Sequence, residues 1–102
     1  MKAIYKILWP LAVMAISQTS YATGMMTCDS GDRSTWKTQD ELRATVIEKG
    51  WEVRRVKVDG GCYELYGTNP DGKRVEAYFD PITLEMLLVS QRGKILYKKE
   101  LK

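Results

Sequence analysis

From Asp59 to Pro81 the chain carries two tight-turn signals, Asp59-Gly60-Gly61-Cys62 and Asn69-Pro70-Asp71-Gly72, each flanked by runs of alternating apolar and polar residues. Alternation of that period marks a strand with one buried face, and turns this short join antiparallel neighbours. Register then follows from which side chains must share a face. With Gly60-Gly61 as a two-residue loop, Asp59 pairs with Cys62, Val58 with Tyr63 and Val56 with Leu65. A three-residue loop would set Val56 against Glu64. With Pro70-Asp71-Gly72 as a three-residue loop, Asn69 faces Lys73, Leu65 faces Ala77 and Tyr63 faces Phe79. One face is then Val56, Val58, Tyr63, Leu65, Val75, Ala77 and Phe79. The other holds Arg55, Lys57, Glu64, Tyr66, Arg74, Glu76 and Tyr78, with Lys57 opposite Glu64.

The flanking segments complete an α+β pattern. Thr38-Gln39-Asp40-Glu41 is a capping box, so a helix is expected from Gln39 to Lys49, stopped by Gly50. Leu42 and Val46 lie one turn apart with Ile47 beside them, and form the stripe that faces the core; Trp36 packs on the same side. Along the first strand, Trp51 to Val58, the pair Trp51 and Val53 is out of phase with Val56 and Val58. A bulge at Arg54-Arg55 restores the phase. After the turn at Asp80 to Thr83, Glu85 to Ser90 reads as a strand that is apolar on both faces. Gln91-Arg92-Gly93 then turns into a last strand, Lys94 to Lys98, with Ile95 and Tyr97 on one side and Leu96 on the other. A short C-terminal helix is the alternative there.

The N-terminus reads as an export signal. Lys2 and Lys6 precede an apolar run from Ile7 to Ile16, and Ser20 and Ala22 suit a signal-peptidase cut. Ten apolar residues fall short of the ~20 that a membrane-spanning helix needs. A cut after Ala22 leaves 80 of 102 residues, with fourteen basic and thirteen acidic side chains, a net charge of +1. So balanced a domain lacks the electrostatic footprint of a nucleic-acid binder. In an oxidising compartment Cys28 and Cys62, 34 positions apart, are expected to form a disulfide. The organisation is a signal peptide (1–22), an arm (23–37) and one domain (38–102). A lipid anchor on Cys28 is disfavoured because Met25-Met26-Thr27 fits a lipoprotein signal poorly. Copper(I) held by Met25, Met26 and Cys28 would require that cysteine to be reduced.

Catalytic chemistry is sparse. The chain contains no histidine, so histidine-based triads, zinc sites and haem ligation are excluded. Two cysteines cannot build a four-thiolate centre, and no glycine-rich phosphate loop opens the helix. Glu64 and Glu76 share a face, but the neighbouring Arg55, Lys57 and Arg74 would keep them ionised. No catalytic residue, metal ligand or cofactor is therefore expected.

Gly50-Trp51-Glu52-Val53, Asp59-Gly60-Gly61-Cys62-Tyr63-Glu64-Leu65-Tyr66 and the run Asp71-Gly72-Lys73-Arg74-Val75-Glu76-Ala77-Tyr78-Phe79-Asp80-Pro81-Ile82-Thr83 resemble the small exported PepSY-domain proteins of Gram-negative bacteria. Leu84 stands where such proteins usually carry glycine. The resemblance implies one N-terminal helix packed on an antiparallel sheet of three to five strands, in the periplasm, with a non-enzymatic role. It points to a protein-interaction or regulatory module, such as a protease modulator or an accessory of an envelope redox system. The expected partner-binding face is Arg55, Glu64, Tyr66, Arg74, Glu76 and Tyr78, reached directly or by adding a strand at a sheet edge. The alternative reading is a small-ligand or metal-binding periplasmic protein.

Overall fold

The computed structural model describes residues 24–100, so the expected signal peptide lies outside the described residues. A 3-10 turn at Arg33–Thr35 leads into one helix, α1 (Gln39–Glu48), followed by strands β1 (Glu52–Asp59), β2 (Cys62–Thr68), β3 (Arg74–Phe79), β4 (Met86–Gln91) and β5 (Lys94–Lys98). The strands form one antiparallel sheet in the order β1-β2-β3-β4-β5. The helix is not N-terminal in the strict sense: it precedes the strands but follows the arm and the 3-10 turn.

The register follows the loop chemistry. Asp59 pairs with Cys62, Val58 with Tyr63 and Val56 with Leu65, while the pairing shifts between Val53 and Arg55 at the bulge. Tyr63 pairs with Phe79 and Leu65 with Ala77. Gly60 and Gly61 both have positive φ, 61° and 81°, as a two-residue hairpin that follows the sheet twist requires. At α1 the Thr38 hydroxyl accepts from the Glu41 N–H at 3.0 Å, and the Glu41 carboxylate accepts from the Thr38 N–H at 2.9 Å. Both bonds satisfy donors that a helix start leaves free.

Two apolar clusters sandwich the sheet. The larger joins Leu42 and Val46 of α1 to Trp51, Val56, Leu65, Val75, Ala77, Phe79 and Val89. Ile47 does not belong to the stripe: it is 54% exposed. One residue of helical rotation past Val46 carries it off the sheet. On the opposite face a smaller cluster of Met26, Cys62, Tyr78, Leu87 and Leu88 is closed by the arm.

Bulges at β4 and β5 redistribute apolar side chains. The β3–β4 register slips between Tyr78 and Phe79, so Phe79 pairs with Met86 and Tyr78 with Leu88. The extra residue, Leu87, joins Leu88 in the arm-side cluster, which explains how β4 is apolar on both sides. In β5 the register shifts so that Val89 opposes Tyr97 and Ser90 opposes Ile95. The simple alternation expected for Ile95, Leu96 and Tyr97 is therefore broken: Leu96 and Tyr97 both line the helix-side groove.

Leu84 keeps the turn that glycine would make and takes a left-handed φ of 65° itself. Its N–H donates to the Asp80 carbonyl at 2.7 Å, and its side chain packs against the larger cluster. Left-handed backbone costs a non-glycine residue about 1–2 kcal/mol. Leu84→Ala keeps that strain and loses the packing, whereas Leu84→Gly removes both. The glycine variant should therefore be the more stable of the two by about 1 kcal/mol in chemical denaturation.

Candidate functional site

The six residues of the expected face do not share one environment. On the ladder row Arg55–Tyr66–Glu76–Ser90, Arg55 is exposed and Tyr66 and Glu76 are half-buried. The Arg55 guanidinium lies 4.9 Å and the Lys57 ammonium 5.6 Å from the Tyr66 ring centre, two cations over one ring. Glu76 accepts from the Ser90 hydroxyl at 3.4 Å. Arg74 is exposed at the strand start, where its carbonyl accepts from the Gln91 side chain.

The next row, Lys57–Glu64–Tyr78–Leu88, is sealed from Glu64 to Leu88, with Lys57 half-buried at its end. Glu64 and Tyr78 are both 0% exposed. The arm runs over the first hairpin: the Cys28 N–H donates to the Gly60 carbonyl at 2.8 Å, and the Ser30 hydroxyl donates to the Gly61 carbonyl at 2.8 Å. The arm's backbone lies so close to both glycines that a Cβ on either would collide with it, at Met26 and at Cys28. Below it the Tyr78 hydroxyl donates to the Asp59 carboxylate at 2.9 Å and accepts the Met25 N–H at 3.3 Å. The Cys28–Cys62 disulfide, with Cα atoms 5.1 Å apart, locks the arm there. Cys62 sits on the Glu64 side of β2, so the bond can only draw the arm over that face. Spacing alone does not reveal the covering; the position of Cys62 together with the apolar Met25-Met26 pair carries the signal.

Burial has electrostatic consequences. Loss of solvent pushes the Tyr78 hydroxyl far above its ordinary range. It also raises the Glu64 carboxyl, although the Lys57 ammonium 3.7 Å away opposes the shift. A carboxyl with a raised folded-state pKa favours the fold while protonated, and that contribution is lost as pH climbs through the folded value. Glu64→Gln is accordingly expected to raise the melting temperature at pH 7, with the gain shrinking as pH falls toward the ordinary value of 4.5. Melting curves of both proteins from pH 3.5 to 8 check this.

An open apolar concavity lies on the helix side. A groove of about 630 Å³ lies between the C-terminal half of α1, the β2–β3 loop and strands β4 and β5. Its floor and walls include Val46, Trp51, Phe79, Val89, Leu96 and Tyr97, with Lys49, Lys73 and Asp71 on the rim. Trp51 meets Phe79 edge to face at 6.2 Å, a rigid aromatic base. Among the described residues no group of three His, Cys, Asp or Glu side chains is placed to hold a metal ion. No helix of the described residues is long and apolar enough to cross a membrane.

A family model described as peptidase propeptide and YPEB domain, PepSY_2, matches residues 7–89. The chain belongs to the PepSY_2 family. No curated protein and no solved structure gives a significant match. The PepSY match takes in α1 and the first three strands and stops at Val89 within β4. Strand β5 and the basic tail therefore lie beyond the matched PepSY region, while the arm that seals the outer face lies inside it.

Proposed function

We propose that this PepSY protein is a non-enzymatic module of the periplasm that binds and regulates a protein partner through its helix-side groove and the adjoining sheet edge. One observation carries the reading. The sheet is covered unequally, with the arm sealing Glu64 and Tyr78 on one face while α1 leaves the β4–β5 end of the other face open. An apolar concavity with an aromatic base and a charged rim suits an interface core. A protease is the partner class nearest to the family description, with an envelope redox protein as the second. The disulfide is consistent with export to an oxidising compartment.

Site-specific photocrosslinking in the native envelope tests this. A crosslinker at Leu96 is expected to capture a protein, and one at Tyr66 to capture far less. Capture from Tyr66 alone would overturn the choice of surface. The groove volume also falls within the range of small-molecule sites, which favours ligand binding as a second reading. Native mass spectrometry of the exported protein separates the two, since a retained small mass would favour the ligand.

A further inference from the structure

Among the described residues the sheet ends at β5, whose outer main-chain groups have no neighbouring strand there. The Lys99 N–H donates to the Leu87 carbonyl at 2.8 Å. By antiparallel alternation the backbone of Lys98 is therefore turned to the free edge. Ile95, Leu96 and Tyr97 are 48%, 38% and 43% exposed, a run of large apolar residues on an edge strand. The β5 bulge brings Leu96 and Tyr97 together at the mouth of the groove. A strand laid along β5 would thus present its alternate side chains to that groove. The other edge strand, β1, differs in its side chains: its exposed residues, Glu52, Arg54 and Arg55, are all charged.

Charge identifies the strand that fits. Within 92–100, Arg92, Lys94, Lys98 and Lys99 face a single acid, Glu100. Among the described residues Lys99 pairs with Glu85 at 3.1 Å, while Arg92, Lys94 and Lys98 have no carboxylate in contact. Two copies joined through β5 would bring these cations together, which disfavours a self-paired edge. Lysine on an edge strand discourages indiscriminate pairing, and the same charge selects a strand that carries carboxylates.

We propose that β5 accepts an extended acidic segment of a partner protein as a sixth strand, with the segment's alternate apolar side chains seated in the groove beside Leu96 and Tyr97. This rests on the reading of the protein as a partner-binding module and specifies the chemistry of the partner segment.

The full exported chain, with its disulfide intact, is titrated by NMR with three synthetic octapeptides. One alternates valine and glutamate, one alternates valine and lysine, and the third is the glutamate peptide N-methylated at alternate amides. The glutamate peptide is expected to shift the amides of 94–98 and the Trp51 indole, and to bind at least tenfold more tightly than the lysine peptide. N-methylation on the pairing edge should abolish binding. The double variant Lys94→Glu/Lys98→Glu should invert the preference; its melting temperature, measured alongside, verifies that it folds. Equal affinity for both charges, shifts confined to the arm-side face, no binding at all, or a dimer through β5 in the free protein would each overturn the proposal. If the peptides fail while a crosslinker at Leu96 still captures a protein, the strand assignment falls and the partner-binding reading stands. If both fail, both fall.

Discussion

Replacing Cys28 and Cys62 together by alanine is expected to lower the unfolding free energy by about 3 to 4 kcal/mol. Closing a loop of 34 residues restricts the unfolded chain by roughly that amount in the chain-entropy model. For a domain of this size the melting temperature should fall by roughly 12 to 30 °C. So small a domain has little reserve, since total stabilities run to about 5–15 kcal/mol. The loss has a local component as well. Without the bond, the arm is held by Met26 packing and by hydrogen bonds such as Cys28 N–H to the Gly60 carbonyl and the Ser30 hydroxyl to the Gly61 carbonyl. Its release would uncover Tyr78, Leu87 and Leu88. The double variant, or the wild-type protein under reductant, should therefore bind more of a hydrophobic dye than the oxidised protein, whose groove already offers one apolar surface, well below its own melting temperature. Thermal denaturation followed by both dye binding and circular dichroism checks the two components together.

Tyr78→Ala is expected to cost about 3–5 kcal/mol, the range for emptying a buried aromatic site. The ring is fully buried between sheet and arm, and its hydroxyl bridges the Asp59 carboxylate and the Met25 N–H. Tyr78→Phe keeps the volume and removes that bridge, and should cost about 1–2 kcal/mol. Tyr66→Ala, at a half-buried position beneath Arg55 and Lys57, should cost about 1 kcal/mol or less. The order Tyr78→Ala, Tyr78→Phe, Tyr66→Ala in urea denaturation separates a residue that supports the fold from one that decorates its surface.

How much of this was legible from the residues depends on the range of the interaction. The capping box at Thr38, both hairpin loops and the bulge near Arg54 are set by neighbours in sequence, and each falls where local chemistry places it. Ile47 misleads because a helix of 10 residues buries only a narrow stripe. The bulges at Leu87 and Leu96 leave no mark in a run of apolar residues, since slipping such a run by one position costs nothing visible in the pattern. Leu84 could have been read either way, and the hydrogen bonds around Asp80 hold the left-handed turn despite its side chain. The polar face looked open because Glu64 and Tyr78 alternate with core residues as exposed positions do. What covers them is an arm more than thirty residues away in sequence, tied down through Cys62.

The arm closes one face of the sheet while the groove and β5 stay open, and tyrosine accessibility reads this difference directly. In NMR spectra of the oxidised protein, a soluble paramagnetic agent is predicted to broaden the ring signals of Tyr97 strongly and to leave those of Tyr78 unaffected. Broadening of Tyr78 as strong as that of Tyr97, with the disulfide intact, would contradict it.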